Sequence, residues 1–197
     1  MLTTRIGGMS EQPIKLEPTP YHRELVDYLH SQERELWTWF SSAEAKTEYT
    51  ETLRLALLKT TYRLDAEAHP DLVRSAEEAK TTLGLEFPVT LYQAQQSDQL
   101  NATLYYIPDE GHLVLSGPLL ATLTPVELKS VLGHELAHYL LWQHEGGAFL
   151  IADRILQALA EDPRSAPPHE ESAQRYRLYT EIFADRGSLA VTKDFSI

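Results

Sequence analysis

From Tyr21 onward, apolar residues fall at helical intervals. Leu25, Val26, Leu29, Leu36, Trp37 and Phe40 would share one face, which predicts an amphipathic helix. A second helix is expected from about Ala43 to Leu64 and a third from Pro70 to about Leu83, with Gly84 placed as a C-terminal cap. The period then shortens: Phe87–Tyr92, Ala102–Ile107 and His112–Ser116 are β-branched or aromatic runs of strand length. Pro108-Asp109-Glu110-Gly111 reads as a turn, so the second and third runs should form a hairpin. Helix resumes at Thr124-Pro125-Val126-Glu127, which supplies an N-cap hydroxyl, a proline at the first helical position and the glutamate of a capping box. That helix should reach Gln143, where Gly146-Gly147 ends it. A helix over Phe149–Ala160, a proline-rich acidic loop over Glu161–Glu171 and a last helix over Ser172–Val191 complete the pattern.

The order is helices, a small mostly antiparallel sheet, then helices, which is an α+β fold. Residues 1–20 carry Pro13, Pro18 and Pro20 and little periodicity, so they read as a mobile or loosely packed lead-in. The expected division is then 21–84 as an N-terminal helical region and 85–197 as the functional core.

Composition narrows the chemistry. The 197 residues are 43% hydrophobic, enough for a packed core. With 17 Lys+Arg against 29 Asp+Glu, the formal charge is −12. Such a surface repels phosphate backbones, so nucleic acid is not an expected partner, and anionic membrane surfaces are disfavoured likewise. The chain has no cysteine, which removes disulfides, thiolate metal sites and thiol nucleophiles. A tight metal site must therefore use histidine and carboxylate. The N-terminal stretch lacks the apolar segment of a secretory signal. No run approaches the roughly 18 apolar residues of a membrane span; Leu113–Leu123 comes nearest and is broken by Gly117 and Pro118. The expectation is a soluble, cytoplasmic protein with no membrane span.

Inside the capped helix stands His134-Glu135-Leu136-Ala137-His138. Two histidines at i and i+4 lie about 40° apart around a helix, so both imidazoles can reach one ion. Glu135 sits where it can touch a metal-bound water without being a ligand. That is the arrangement needed if Zn2+ lowers the pKa of the water and the glutamate, as catalytic base, takes its proton. Val131, Leu132, Leu136, Ala137, Leu140 and Leu141 mark the helix as central, and burying two histidines and a glutamate there is costly without compensation.

Zinc requires a third protein ligand. His144 lies six residues after His138, but a continuing helix rotates it about 240° away, and Leu141 stands where the chain would have to leave the helix. Glu181, on the last helix, is the better candidate. Asp185 shares its face at i+4 and can accept a hydrogen bond from a ligand imidazole. Ala184 offers a small side chain where two helices must approach.

At these residues the chain resembles the gluzincin metallopeptidases, specifically the HtpX-like and CAAX-prenyl-protease type I family and its small soluble members, the minigluzincins. The likeness runs from about Leu83 to Ala190. It rests on Leu128 to His138, on Glu181 to Asp185, and on Asn101-Ala102 followed by the hairpin strand His112–Ser116. The resemblance implies a zincin-like core with an edge strand packed on the metal helix and a C-terminal glutamate-bearing helix. It also implies endopeptidase action on extended or unfolded polypeptide bound antiparallel to the strand that begins at Asn101 and Ala102. Relatives continue further and can supply an oxyanion-stabilising histidine or arginine; here twelve residues follow Asp185, and no residue is assigned that role. The alternative is a latent or catalytically silent zinc-binding module with a protein-interaction role, against which the retained Glu135 argues.

Overall fold

The structure is a computed structural model that describes residues 15–162 and 167–193. Helix α1, Pro20–Gln32, starts on Thr19, whose side chain caps it reciprocally with His22. Helix α2, Arg34–Ser41, follows after one non-helical residue, Glu33 (φ −107°, ψ 48°), so the single helix expected over this stretch is two. Between Leu29 and Leu36 the sequence is wholly polar, and nothing apolar anchors a continuous helix across the break. Helix α3, Ala43–Thr60, is capped by Ser42 and stops before the expected Leu64. Thr61–Arg63 instead forms strand β1, consistent with the β preference of Thr and Tyr.

Helix α4, Pro70–Thr82, ends at Leu83, and Gly84 takes the left-handed φ (+69°) of a terminating residue. Three strands follow: β2, Val89–Ala94; β3, Asn101–Ile107; and β4, Glu110–Ser116. β2 lies two residues later than expected, because Phe87 is used for packing and stacks on Tyr139 at 3.8 Å between ring centroids. The expected hairpin joins β3 to β4, with Asp109 at φ 62° in its turn. The sheet order is β1-β2-β4-β3, with β2 and β4 parallel and the other two pairings antiparallel. β3 is therefore a sheet edge.

After a short helix α5, Leu119–Thr122, comes α6, Pro125–Gln143, with the Thr124–Glu127 capping box in place. A 3₁₀ turn with Glu145, Gly146 and Gly147 at positive φ redirects the chain into α7, Ala148–Glu161. Helix α8, Pro167–Thr192, begins within the stretch expected to be loop, and residues 163–166 lie outside the described residues. The whole is a mixed α+β fold.

The two faces of the sheet have different cover. Leu91, Leu104, Leu113 and Leu115 point into the main core with Leu132, Leu136, Phe149, Ile155 and Phe183 of the later helices. Val114 and Ile107 point the other way, against Leu53 and Leu57 of α3. The expected lead-in lies partly outside the described residues, but residues 15–19 are packed rather than loose. Leu16 is buried, and Arg186 Nη1 donates to the Glu17 carbonyl at 3.2 Å.

Candidate metal centre

Helices α6 and α8 cross closely because small residues face one another. Ala137 and Ala184 are fully buried, and a Cβ placed on Gly187 would lie 2.2 Å from that of Ala137. A Cβ on Gly133 would meet Val191 at 3.0 Å. Ala184 was legible in the sequence as a close-approach residue; the two glycines were not. This approach brings Glu181 of α8 over the histidine face of α6.

The donor atoms converge. His134 Nε2 lies 3.2 Å from His138 Nε2 and 3.2 Å from Glu181 Oε2, while His138 Nε2 is 3.8 Å from Glu181 Oε1. One ligand atom from each residue lies within 4.8 Å of the others, and the three could hold a metal ion. Four donors arranged tetrahedrally at about 2.0–2.1 Å would stand roughly 3.4 Å apart, so these spacings fit an ion of that size. Two imidazole nitrogens aimed at each other leave a lone pair in need of a cation or a shared proton, which makes the donor chemistry fit as well. His144, six residues on, caps the end of α6 and is not in the group.

Asp185 Oδ1 lies 3.0 Å from His134 Nδ1. With Nδ1–H donating to this carboxylate, Nε2 presents its lone pair to the site. His138 is held differently. Its Nδ1 is buried with no hydrogen-bond partner, and its ring stacks on Trp142 (centroids 5.5 Å apart, planes at 25°). Trp142 lies one helical turn beyond His138, and its role was not anticipated from the sequence.

Glu135 turns from the helix toward the sheet edge, where its Oε2 accepts the Leu104 N–H at 2.8 Å. Burial pushes this carboxyl up to about 7, although His134 and the Leu104 N–H pull the other way. For His134, burial opposes the charged form, but the Glu181, Glu135 and Asp185 carboxylates outweigh it and the pKa rises. His138 is lowered to about 4 by burial and by His134. The hydrogen bond with His134 lowers Glu181 in spite of its partial burial.

A cleft of about 410 Å³ opens beside these groups, and Asn101, Ala102, His134, Glu135 and Asp185 all line it. The structure thus brings the start of β3 to the same cavity as the histidine helix. Ser130 and Ser188 meet there too, with their hydroxyls 2.6 Å apart. Cavities of similar volume lie elsewhere, so the convergent donors, not the volume, single this one out.

A group that could hold a metal ion, with a buried carboxylate beside it, is an arrangement suited to metal-assisted hydrolysis. Residues 66–160 match the family model of Peptidase family M48, and this match supports a metallopeptidase. The matched span includes β2, β3, β4 and α6 with both histidines, whereas Glu181 and Asp185 lie beyond it. No curated protein and no solved structure matches the chain. Among the described residues no helix is long and apolar enough to cross a membrane.

Proposed function

We propose that this protein is a zinc-dependent endopeptidase acting on extended or unfolded polypeptide, with His134, His138 and Glu181 as the metal ligands and Glu135 as the general base. The observation that carries the reading is the meeting of three convergent donors with a carboxylate anchored on the adjacent sheet edge. Two imidazoles and one carboxylate are a donor set that suits zinc, and if bound there it would supply Lewis-acid polarisation of the scissile carbonyl and lower the pKa of water.

The remaining work belongs to side chains and backbone of this chain. Glu135 removes a proton from the attacking water and returns it to the leaving amine, with one of its oxygens held by the Leu104 N–H. Asp185 fixes the tautomer of His134. The N–H of Leu104 leaves the sheet at its edge, so by strand alternation the backbone groups of Ala102 face outward as well. An extended peptide pairing there lies beside His134 and Glu135, and main-chain pairing gives affinity with little demand on sequence.

The test is digestion of an unfolded protein by the zinc-loaded wild type and by Glu135→Gln, with products identified by mass spectrometry. Cleavage by the wild type alone is expected. Equal cleavage by both proteins would remove Glu135 from its role.

A further inference from the structure

Residues along β3 alternate between the two faces of the sheet. Ala102, Leu104 and Tyr106 lie on the main-core face, whereas Asn101, Thr103, Tyr105 and Ile107 lie on the face covered by α3. A peptide strand added to the outer edge of β3 must alternate in the same way. The peptide residue opposite Ala102 points to the metal side. Its neighbour, opposite Thr103, points to the α3 side.

A groove awaits it there. Between α3 and the sheet lies a cavity of about 440 Å³, whose buried lining residues, Leu53, Leu57 and Val114, are apolar and whose exposed ones include the polar Thr60, Gln95 and Gln96. Thr103, on the edge strand itself, and Ala56, on the exposed side of α3, both line it. No carboxylate lines this cavity in a chain of net charge −12; Lys59 is its one charged lining residue. The buried part of the cavity accepts an aliphatic or aromatic side chain, its exposed part is polar, and Lys59 disfavours lysine or arginine.

We propose that this groove is a substrate subsite, in which α3 selects a large apolar side chain at the peptide position opposite Thr103. The proposal rests on the peptidase reading for the direction of the peptide and its pairing with β3. It gives α3 a role in specificity: the helix covers the second face of the edge strand that the substrate joins, while the metal lies off the first.

The test uses two measurements that separate this proposal from the peptidase reading. In the first, wild-type cut sites in an unfolded protein mixture are mapped by mass spectrometry. Large apolar residues should be enriched about fivefold or more at one fixed position relative to the cut, with Lys and Arg depleted there. Ala56→Trp, which fills the groove from an exposed position, should abolish that enrichment. Leu58→Trp, which introduces the same residue at an exposed position outside the groove, should retain it. In the second, an alternating Leu-Ser heptapeptide and an all-Ser heptapeptide are titrated into zinc-loaded Glu135→Gln protein. The Leu-containing peptide should bind at least tenfold more tightly, and Ala56→Trp in that background should erase the difference. Preferential binding sensitive to Ala56→Trp, without any cleavage by the wild type, would keep the groove and overturn the peptidase. A cleavage profile or a binding preference that Ala56→Trp leaves intact would overturn the groove.

Discussion

The backbone N–H of Leu104 donates to the Glu135 carboxylate at 2.8 Å, tying the edge of the sheet to the residue between the two histidines. This bond joins the helix that carries both histidines to the edge strand of the sheet. It links α6 to β3, and on the proposed reading a peptide paired with that strand would run beside the donors. It also holds one oxygen of Glu135 in place, as the proposed general-base role would require. Neither partner alone carries this information, because the direction of the Leu104 N–H depends on which strand β3 pairs with and which side it leaves free.

Asp185 should act through His134. Asp185→Asn retains a group that can accept from Nδ1–H but removes the charge that favours it, and weakening of zinc affinity by roughly 10–100-fold is expected. Competition against a chromophoric chelator measures this directly. Glu181→Ala should weaken affinity further, because it removes a donor itself.

His138 should depend on Trp142. With its Nδ1 unpartnered, the ring owes its orientation to stacking. Trp142→Ala should lower zinc affinity and broaden the visible spectrum of the cobalt-substituted protein, whereas Trp142→Phe should recover most of both. Equal spectra for the two variants would leave Trp142 with a packing role only.

The crossing of α6 and α8 should tolerate no added methyl at Gly187. Its new Cβ would meet that of Ala137 at 2.2 Å, so the helices must separate. Gly187→Ala should cost about 1–3 kcal/mol in urea unfolding and weaken zinc binding by displacing Glu181. An unchanged unfolding midpoint would mean that the crossing is less tight than described.

Stability should fall on mild acidification through His22. This side chain is fully buried among Phe149, Tyr176 and Phe183, accepts the Thr19 N–H at Nδ1 and faces Thr180 with Nε2. Burial lowers its pKa from 6.5 to about 4. Above pH 6.5 it is neutral in both folded and unfolded chains. Between 6.5 and 4 the unfolded chain binds the proton and the folded one does not, so stability drops as pH falls through that window. The loss between pH 7 and 4.5 should be roughly 2–3 kcal/mol from this residue. Chemical unfolding of wild type and His22→Gln at the two pH values should show the wild type losing that much more.

The parts legible in the sequence were those with local causes. The α6 start was readable from Thr124, Pro125 and Glu127 because a cap is a contact within four residues. The histidine pair was readable because helical spacing alone puts both rings on one side. Glu181 and Asp185 could be singled out on α8 as an i, i+4 pair complementary to that face, and the structure brings both to His134. What escaped depended on distant partners. β1 is three residues long and exists as a strand through Thr61 to Arg63 pairing with β2, so it merged with the preceding helix pattern. The parallel β2–β4 pair and the resulting edge at β3 follow from sheet order, which periodicity does not encode. Nothing in the sequence singled out Leu104 or Trp142, because their contribution lies in a backbone direction and a ring plane. Gly133 and Gly187 gained meaning only once their helices were seen to cross.

The most direct measurement is peptidase activity during stepwise zinc addition to chelator-stripped protein, with His134→Ala and His138→Ala alongside. The account predicts no cleavage without metal, activity that rises to a sharp break at one zinc per chain, and neither tight zinc binding nor activity in the two variants. Cleavage that survives complete metal removal, or full zinc binding in both variants, would contradict it.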